Sequence, residues 1–219
     1  MAYTIDVLIV FAEHDNHPTE SDRGWVEDFK KFLEGMLAQV LGEQPNVLLT
    51  ADNDSDSGAN LNDVAVTVPI LSPSFMESGE CLDTLEEFVT LTKGDSRVFK
   101  VLKRPLTNSE QPTKIRELIG YELFNQNIET QEIQDFTDFF STEAERDFWM
   151  RFVYLAYDIN ECLIEIKYTD KKHDLGDSIS RKSIYLAETG HDLSIQRNII
   201  KRELQRYGYK ILPDHTLPE

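Results

Sequence analysis

The stretch IDVLIVFA, Ile5 to Ala12, is an apolar run of strand length interrupted by Asp6 alone, rich in branched side chains and free of glycine and proline. A run of this kind fits a strand covered on both faces, as in a parallel sheet, because a strand with one wet face alternates apolar and polar residues. EHDNHPTESDRG follows as a polar loop. Trp25, Phe29, Phe32, Leu33, Met36, Leu37, Val40 and Leu41 then recur at spacings of three and four until Gly42. That periodicity predicts an amphipathic helix with a glycine stop. Strand followed by helix is the opening of an α/β domain.

The rest of the chain extends the pattern. NVLLT (Asn46 to Thr50) and VAVTVPIL (Val64 to Leu71) read as the second and third strands. CLDTLEEFVTLT places Leu82, Leu85, Phe88 and Val89 on one helical face, and RVFKVLK (Arg97 to Lys103) reads as a fourth strand. Parallel neighbours need crossover connections, so this order implies a parallel sheet with helices on both faces. Pro105 to Asp147 reads as an irregular excursion with a short hairpin at Tyr121 to Phe136. Phe148, Phe152, Leu155, Ile159 and Leu163 then mark a long helix. Lys167 to Lys182 lacks apolar periodicity, and SIYLAE, LSIQRNIIKRELQRYG and YKILP form a β-α-β sequence, the helix ended by Gly208. The expected organisation is a domain over residues 1–168, a linker over 169–182, and a β-α-β extension over 183–219 that is either an appendage or the start of a second module.

Forty acidic residues against 22 basic ones give a net charge of -18 over 219 residues. Such a surplus repels a phosphate backbone and an anionic bilayer, which argues against nucleic acid and membrane as partners. No apolar run approaches the roughly 20 residues that span a bilayer, and no leader pattern opens the chain. A cytoplasmic protein is expected. Cys81 and Cys162 have no CxxC partner and are expected as small buried groups.

Taken in order, DVLIVFAEHD, GWVEDFKKFL, ILSPSF, SGECLDTLEEF and FWMRFVYLAYDI resemble the bacterial TIR domain family over about residues 3 to 166. In that family the first strand resembles DVFISYxxxD, the third ends in LSPxY, and the next helix begins SxxCxxEL. The resemblance implies a flavodoxin-like α/β fold with a five-stranded parallel sheet. It also implies either cleavage of NAD at the nicotinamide-ribose bond or an adaptor role in assembly with other TIR domains or with itself.

Carried onto this chain, the family's catalytic glutamate falls on Thr84, which brings no negative charge to a cation-like ribosyl transition state. Glu80 and Glu87, one turn to either side, and Asp83 are the candidate replacements. The resemblance also places ligand contacts after the first strand, on Phe11, Ala12 and His14, with His17 nearby. Relatives carry a long loop and a helix between the second and third strands. Here 13 residues, Ala51 to Asp63, must suffice, so that helix is expected to be missing or reduced to a turn near Asn60 to Val64. The expectation is a signalling or assembly module without the usual NAD hydrolysis, the alternative being a hydrolase with a relocated carboxylate.

DNDSDSGANLND, Asp52 to Asp63, offers a third reading. Asp52, Asp54, Asp56, Asn60 and Asp63 occupy the first, third, fifth, ninth and twelfth positions of a calcium loop. Against calcium, Ser57 stands where a glycine should turn the chain, and strands flank the loop instead of helices. Residues of this type also fill ordinary turns, so a plain connection is the competing reading. No GxGxxG, GK[ST], GxSxG or HExxH motif occurs.

Overall fold

The computed structural model describes residues 3–18, 23–52, 59–94, 96–107, 109–116, 118–126, 133–135, 146–169, 183–187, 193–206 and 209–212. The chain divides into two compact units, Met1–Lys171 and Lys172–Glu219. In the first, the order is β1 (Ile5–Phe11), α1 (Trp25–Leu41), β2 (Val47–Ala51), β3 (Val64–Leu71), α2 (Pro73–Glu77), α3 (Gly79–Leu91), β4 (Val101–Leu102), β5 (Tyr121–Glu122), β6 (Phe124–Gln126), β7 (Ile133–Asp135) and α4 (Arg146–Thr169). Strands one to five form a parallel sheet in the order β2-β1-β3-β4-β5. This is an α/β fold of flavodoxin-like strand order, whose reversal point lies between β1 and β3.

The apolar run of β1 from Val7 onward is explained by the two layers it separates. Val7, Ile9 and Phe11 enter one core with Phe29, Leu33 and Leu37 of α1 and Phe152, Leu155 and Ile159 of α4. Leu8, Val10 and Ala12 enter the other, with Phe75 of α2 and Leu85 and Phe88 of α3. Each fully buried large side chain contributes about 1.5–3 kcal/mol. All eight residues of β3 are buried, which is why its bounds coincide with the apolar run.

Helix α1 stops where the sequence predicts. Gly42 has φ 72° and donates its N–H to Ala38 O at 3.0 Å, a left-handed cap that an L side chain resists. Its start is less ordinary. Asn16, from the loop after β1, accepts from Val26 N at 3.0 Å and Glu27 N at 3.3 Å and so caps the helix from outside it. A Cβ on Gly24 would lie 1.9 Å from Asn16 Oδ1, so this glycine makes room for the remote cap.

Three expectations need correction. The expected strand Arg97–Lys103 reduces to Val101–Leu102, with one isolated bridge, Thr67 to Val98, in the same register. Between them Lys100 is buried, and its ammonium donates to Gln111 Oε1 and Arg116 O, both at 2.7 Å. Tyr121 and Glu122 belong to the parallel sheet and not to the hairpin, which is β6 with β7. The Tyr121 hydroxyl donates to Asp158 of α4 at 2.5 Å, tying this short edge strand to a helix. Finally, α4 runs on to Thr169, into the stretch from Lys167 that lacks apolar periodicity and one residue into the expected linker 169–182; residues 170–182 lie outside the described residues.

Between β2 and β3 the described residues contain one 3-10 turn, Leu61–Asp63, capped by Asn60, whose side chain accepts from Asn62 N at 3.1 Å. That is the reduced turn expected near Asn60. In the second unit, β8 (Ser183–Tyr185) and β9 (Lys210–Leu212) pair in parallel around α5 (Ser194–Arg206), the β-α-β arrangement read from the sequence. Arg197 of α5 donates to Leu186 O at 3.2 Å and Ala187 O at 2.9 Å, satisfying carbonyls just past β8. Gly208 lies outside the described residues. Among the described residues no helix is long and apolar enough to cross a membrane.

Candidate functional site

Ligands of open α/β sheets bind outside the carboxyl ends of the strands, near the reversal in strand order. Here that region gathers Asp15 from the turn after β1, Asp52 after β2, Ser72 after β3 and Lys103 after β4. Asp15, Ser72 and Lys103 are 5%, 1% and 8% exposed. A buried carboxylate must be paired and hydrogen-bonded, and this one is both. Ser72 Oγ donates to Asp15 Oδ2 at 2.5 Å, while Lys103 Nζ lies 3.2 Å from Oδ1 and donates to the Asp15 carbonyl at 2.6 Å. The same ammonium sits 5.2 Å from the centre of the Trp25 ring, whose face attracts a cation.

Local structure sets each group. Asp15 closes a 3-10 turn, Glu13–Asp15, with its N–H on Ala12 O at 2.8 Å. Ser72 is the N-cap of α2: its Oγ accepts from Phe75 N at 3.0 Å, which leaves its proton for Asp15. Lys103 N donates to Leu71 O at 3.0 Å, continuing the pairing of β4 with β3. Asp52 Oδ1 accepts from Glu13 N at 2.5 Å and so holds the other side of the turn. The result is a loop fixed from three strands.

The nearby thiol is quiet. Cys81, in the first turn of α3, has its pKa pushed up to about 11, chiefly by burial, against a lowering hydrogen bond with Ser78. The Asp52 and Asp15 charges add to the upward push. Burial thus outweighs the helix N-terminus, which ordinarily favours a thiolate. Cys162 on α4, half-buried, is likewise raised to about 11 by burial.

The residues singled out from the sequence lie around this cluster. Phe11 and Ala12 are buried on opposite faces of the sheet. His14 is exposed, its ring edge-on to His17 with centroids 4.4 Å apart. Helix α3 buries Cys81, Leu85, Phe88 and Val89, leaving Thr84 half-buried and Glu80, Asp83 and Glu87 exposed. Glu86 pairs with Lys114 at 2.7 Å, and that contact lowers its pKa. Asp52 is half-buried and Asp63 exposed, while Asp54 and Asp56 lie outside the described residues. Among the described residues no group of three or more His, Cys, Asp or Glu is placed to hold a metal ion.

Asp15, Ser72 and Lys103 were not singled out by sequence. Their available signal was position: the last residue of DVLIVFAEHD, the serine before Pro73, and the lysine ending RVFKVLK. What the cluster can do chemically is limited. Its carboxylate has both oxygens engaged, its hydroxyl is committed as donor and acceptor, and its ammonium faces a carbonyl, a carboxylate and an indole. Scanned against protein-family models and against curated proteins, the chain finds no match.

Proposed function

We propose that this chain is a TIR-like signalling or assembly module of a bacterial signalling or defence system, located in the cytoplasm, which acts by docking protein partners and not by hydrolysing NAD. The observation that carries this reading is the closed Asp15–Ser72–Lys103 cluster at the ligand-binding end of the sheet. A general base or electrostatic stabiliser needs a carboxylate aimed at the reacting centre, whereas this one is spent on holding the loop in place. Two further features agree with it. The helix α3 presents Thr84 where the resemblance asks for glutamate, and the β2–β3 connection contributes a single turn among its described residues.

The test is nicotinamide release from NAD at high protein concentration with a crowding agent, beside an active TIR enzyme. The expected result is no release while the control turns over. Release that disappears in Glu80→Ala, Asp83→Ala or Glu87→Ala would instead establish a hydrolase with a relocated carboxylate.

A further inference from the structure

The loop after β1 carries two histidines that the buried cluster leaves outside. His14 lies in the 3-10 turn Glu13–Asp15, and His17 follows the cap of that turn, Asn16. Side chains three residues apart eclipse in a 3-10 helix, which brings both imidazoles to one side of the turn. Both residues are exposed, with ring centres 4.4 Å apart and planes at 83°. Among the described residues neither imidazole has a hydrogen-bond partner, so its nitrogens are free to bind a ligand.

The backbone beneath the two rings is pinned at almost every residue. Glu13 N is held by Asp52 Oδ1, and the Asp15 carboxylate by Ser72 and Lys103. The Asn16 side chain accepts from the first amides of α1, and His17 O accepts from Trp25 N at 3.0 Å. Only the imidazoles themselves are left to turn about their side-chain bonds. A ligand pair on a backbone fixed in this way loses little freedom when it closes on an ion.

The spacing bears on which ion. With a metal–nitrogen distance of about 2.0–2.1 Å and a ring nitrogen about 1.2 Å from its ring centre, two imidazoles at a right angle on one ion have centres about 4.5 Å apart. At a tetrahedral angle the same construction gives about 5.2 Å. The observed 4.4 Å matches the right angle, the arrangement of tetragonal copper and nickel sites and not of zinc. Among the described residues no third His, Cys, Asp or Glu joins the pair, which leaves the other coordination positions to water. The net charge of -18 adds a general attraction for cations.

We propose that His14 and His17 form a two-imidazole site for a divalent ion of right-angled coordination, Cu2+ or Ni2+, with water in the remaining positions. The site is independent of the docking reading above, and either stands without the other.

The experiment uses the full chain, stripped with EDTA and dialysed, and titrates it by calorimetry with Cu2+, Ni2+ and Zn2+ in separate runs. Electron paramagnetic resonance of the copper form counts the bound nitrogens. Expected are one Cu2+ per chain with two imidazole nitrogens, and Ni2+ held more tightly than Zn2+. His14→Gln and His17→Gln should each weaken copper about ten-fold or more, while His191→Gln, at a histidine of the second unit, should change nothing. Because both rings are exposed, neither substitution should move the urea midpoint, so a loss of metal is separable from a loss of fold.

Copper affinity unchanged by His14→Gln or His17→Gln, a single nitrogen in the spectrum, Zn2+ held more tightly than Ni2+, or loss of the site on His191→Gln would each overturn the proposal.

Discussion

Replacing Lys103 by Met tests whether the buried cluster holds the carboxyl end of the sheet together. At the observed 3.2 Å and an effective dielectric of about 20, the attraction between Lys103 and Asp15 is about 5 kcal/mol. Much of that repays the removal of both charges from water, so the pair's net worth is far smaller. The single substitution, however, leaves Asp15 buried with, among the described residues, the Ser72 hydroxyl as its remaining side-chain partner, and a stranded charge costs about 3–5 kcal/mol. Asp15→Asn removes that charge and keeps an acceptor for Ser72. Combined with Lys103→Met it should recover about 2–3 kcal/mol relative to the sum of the single changes. Urea unfolding followed by tryptophan fluorescence is the assay, because Trp25 and Trp149 both belong to the first unit and report on it alone. An unchanged slope with a lower midpoint marks a loss of stability and not a change in compactness. A cost below about 1 kcal/mol for Lys103→Met, or additivity within about 0.5 kcal/mol, would refute the reasoning and class the pair with solvated ion pairs.

The remote cap and the thiols give two more tests. Asn16→Ala should cost about 1 kcal/mol by freeing the first amides of α1, and Gly24→Ser should be harmful alone yet restorative in that background, where its Cβ no longer meets Asn16; equal effects in both backgrounds by urea titration would refute the cap. Cys81 and Cys162, both held near pKa 11, should react with a disulfide reagent at pH 8 far more slowly in the folded protein than in urea, with rates climbing only as pH approaches 11. Since the folded state binds these protons more tightly than the unfolded chain, stability should fall as pH rises above the ordinary thiol range, and fast native labelling would contradict the burial argument.

The long, fully buried elements were legible and the two-residue strands were not. The apolar run Val64–Leu71 became β3 without a shift at either end, because every residue on it is inside. Trp25 to Leu41 was equally plain, since both its periodicity and its glycine cap are local features. Strand β5 was hidden: two residues cannot display a period, and their place depends on backbone pairing with β4 and on Asp158, 37 residues away. The site was hidden for a similar reason. Lysine and aspartate are read as surface residues by default, and only the three-dimensional meeting of β1, β3 and β4 buries Asp15, Ser72 and Lys103 together. Sequence placed attention on His14 and the α3 carboxylates, which are exposed, while Asp15, grouped by the sequence with the exposed histidines of its loop, is buried.

Arg151 of α4 bears on how the sheet ends. A sheet with two bare margins is a repeating unit, able to add copies without end along its hydrogen-bonding direction. With the carbonyls of Glu122 and Phe124 already taken, the sheet has a terminus built in. Arg151 thus closes the β5 margin with a side chain of the same unit, and substituting it would return two outward carbonyls to that margin.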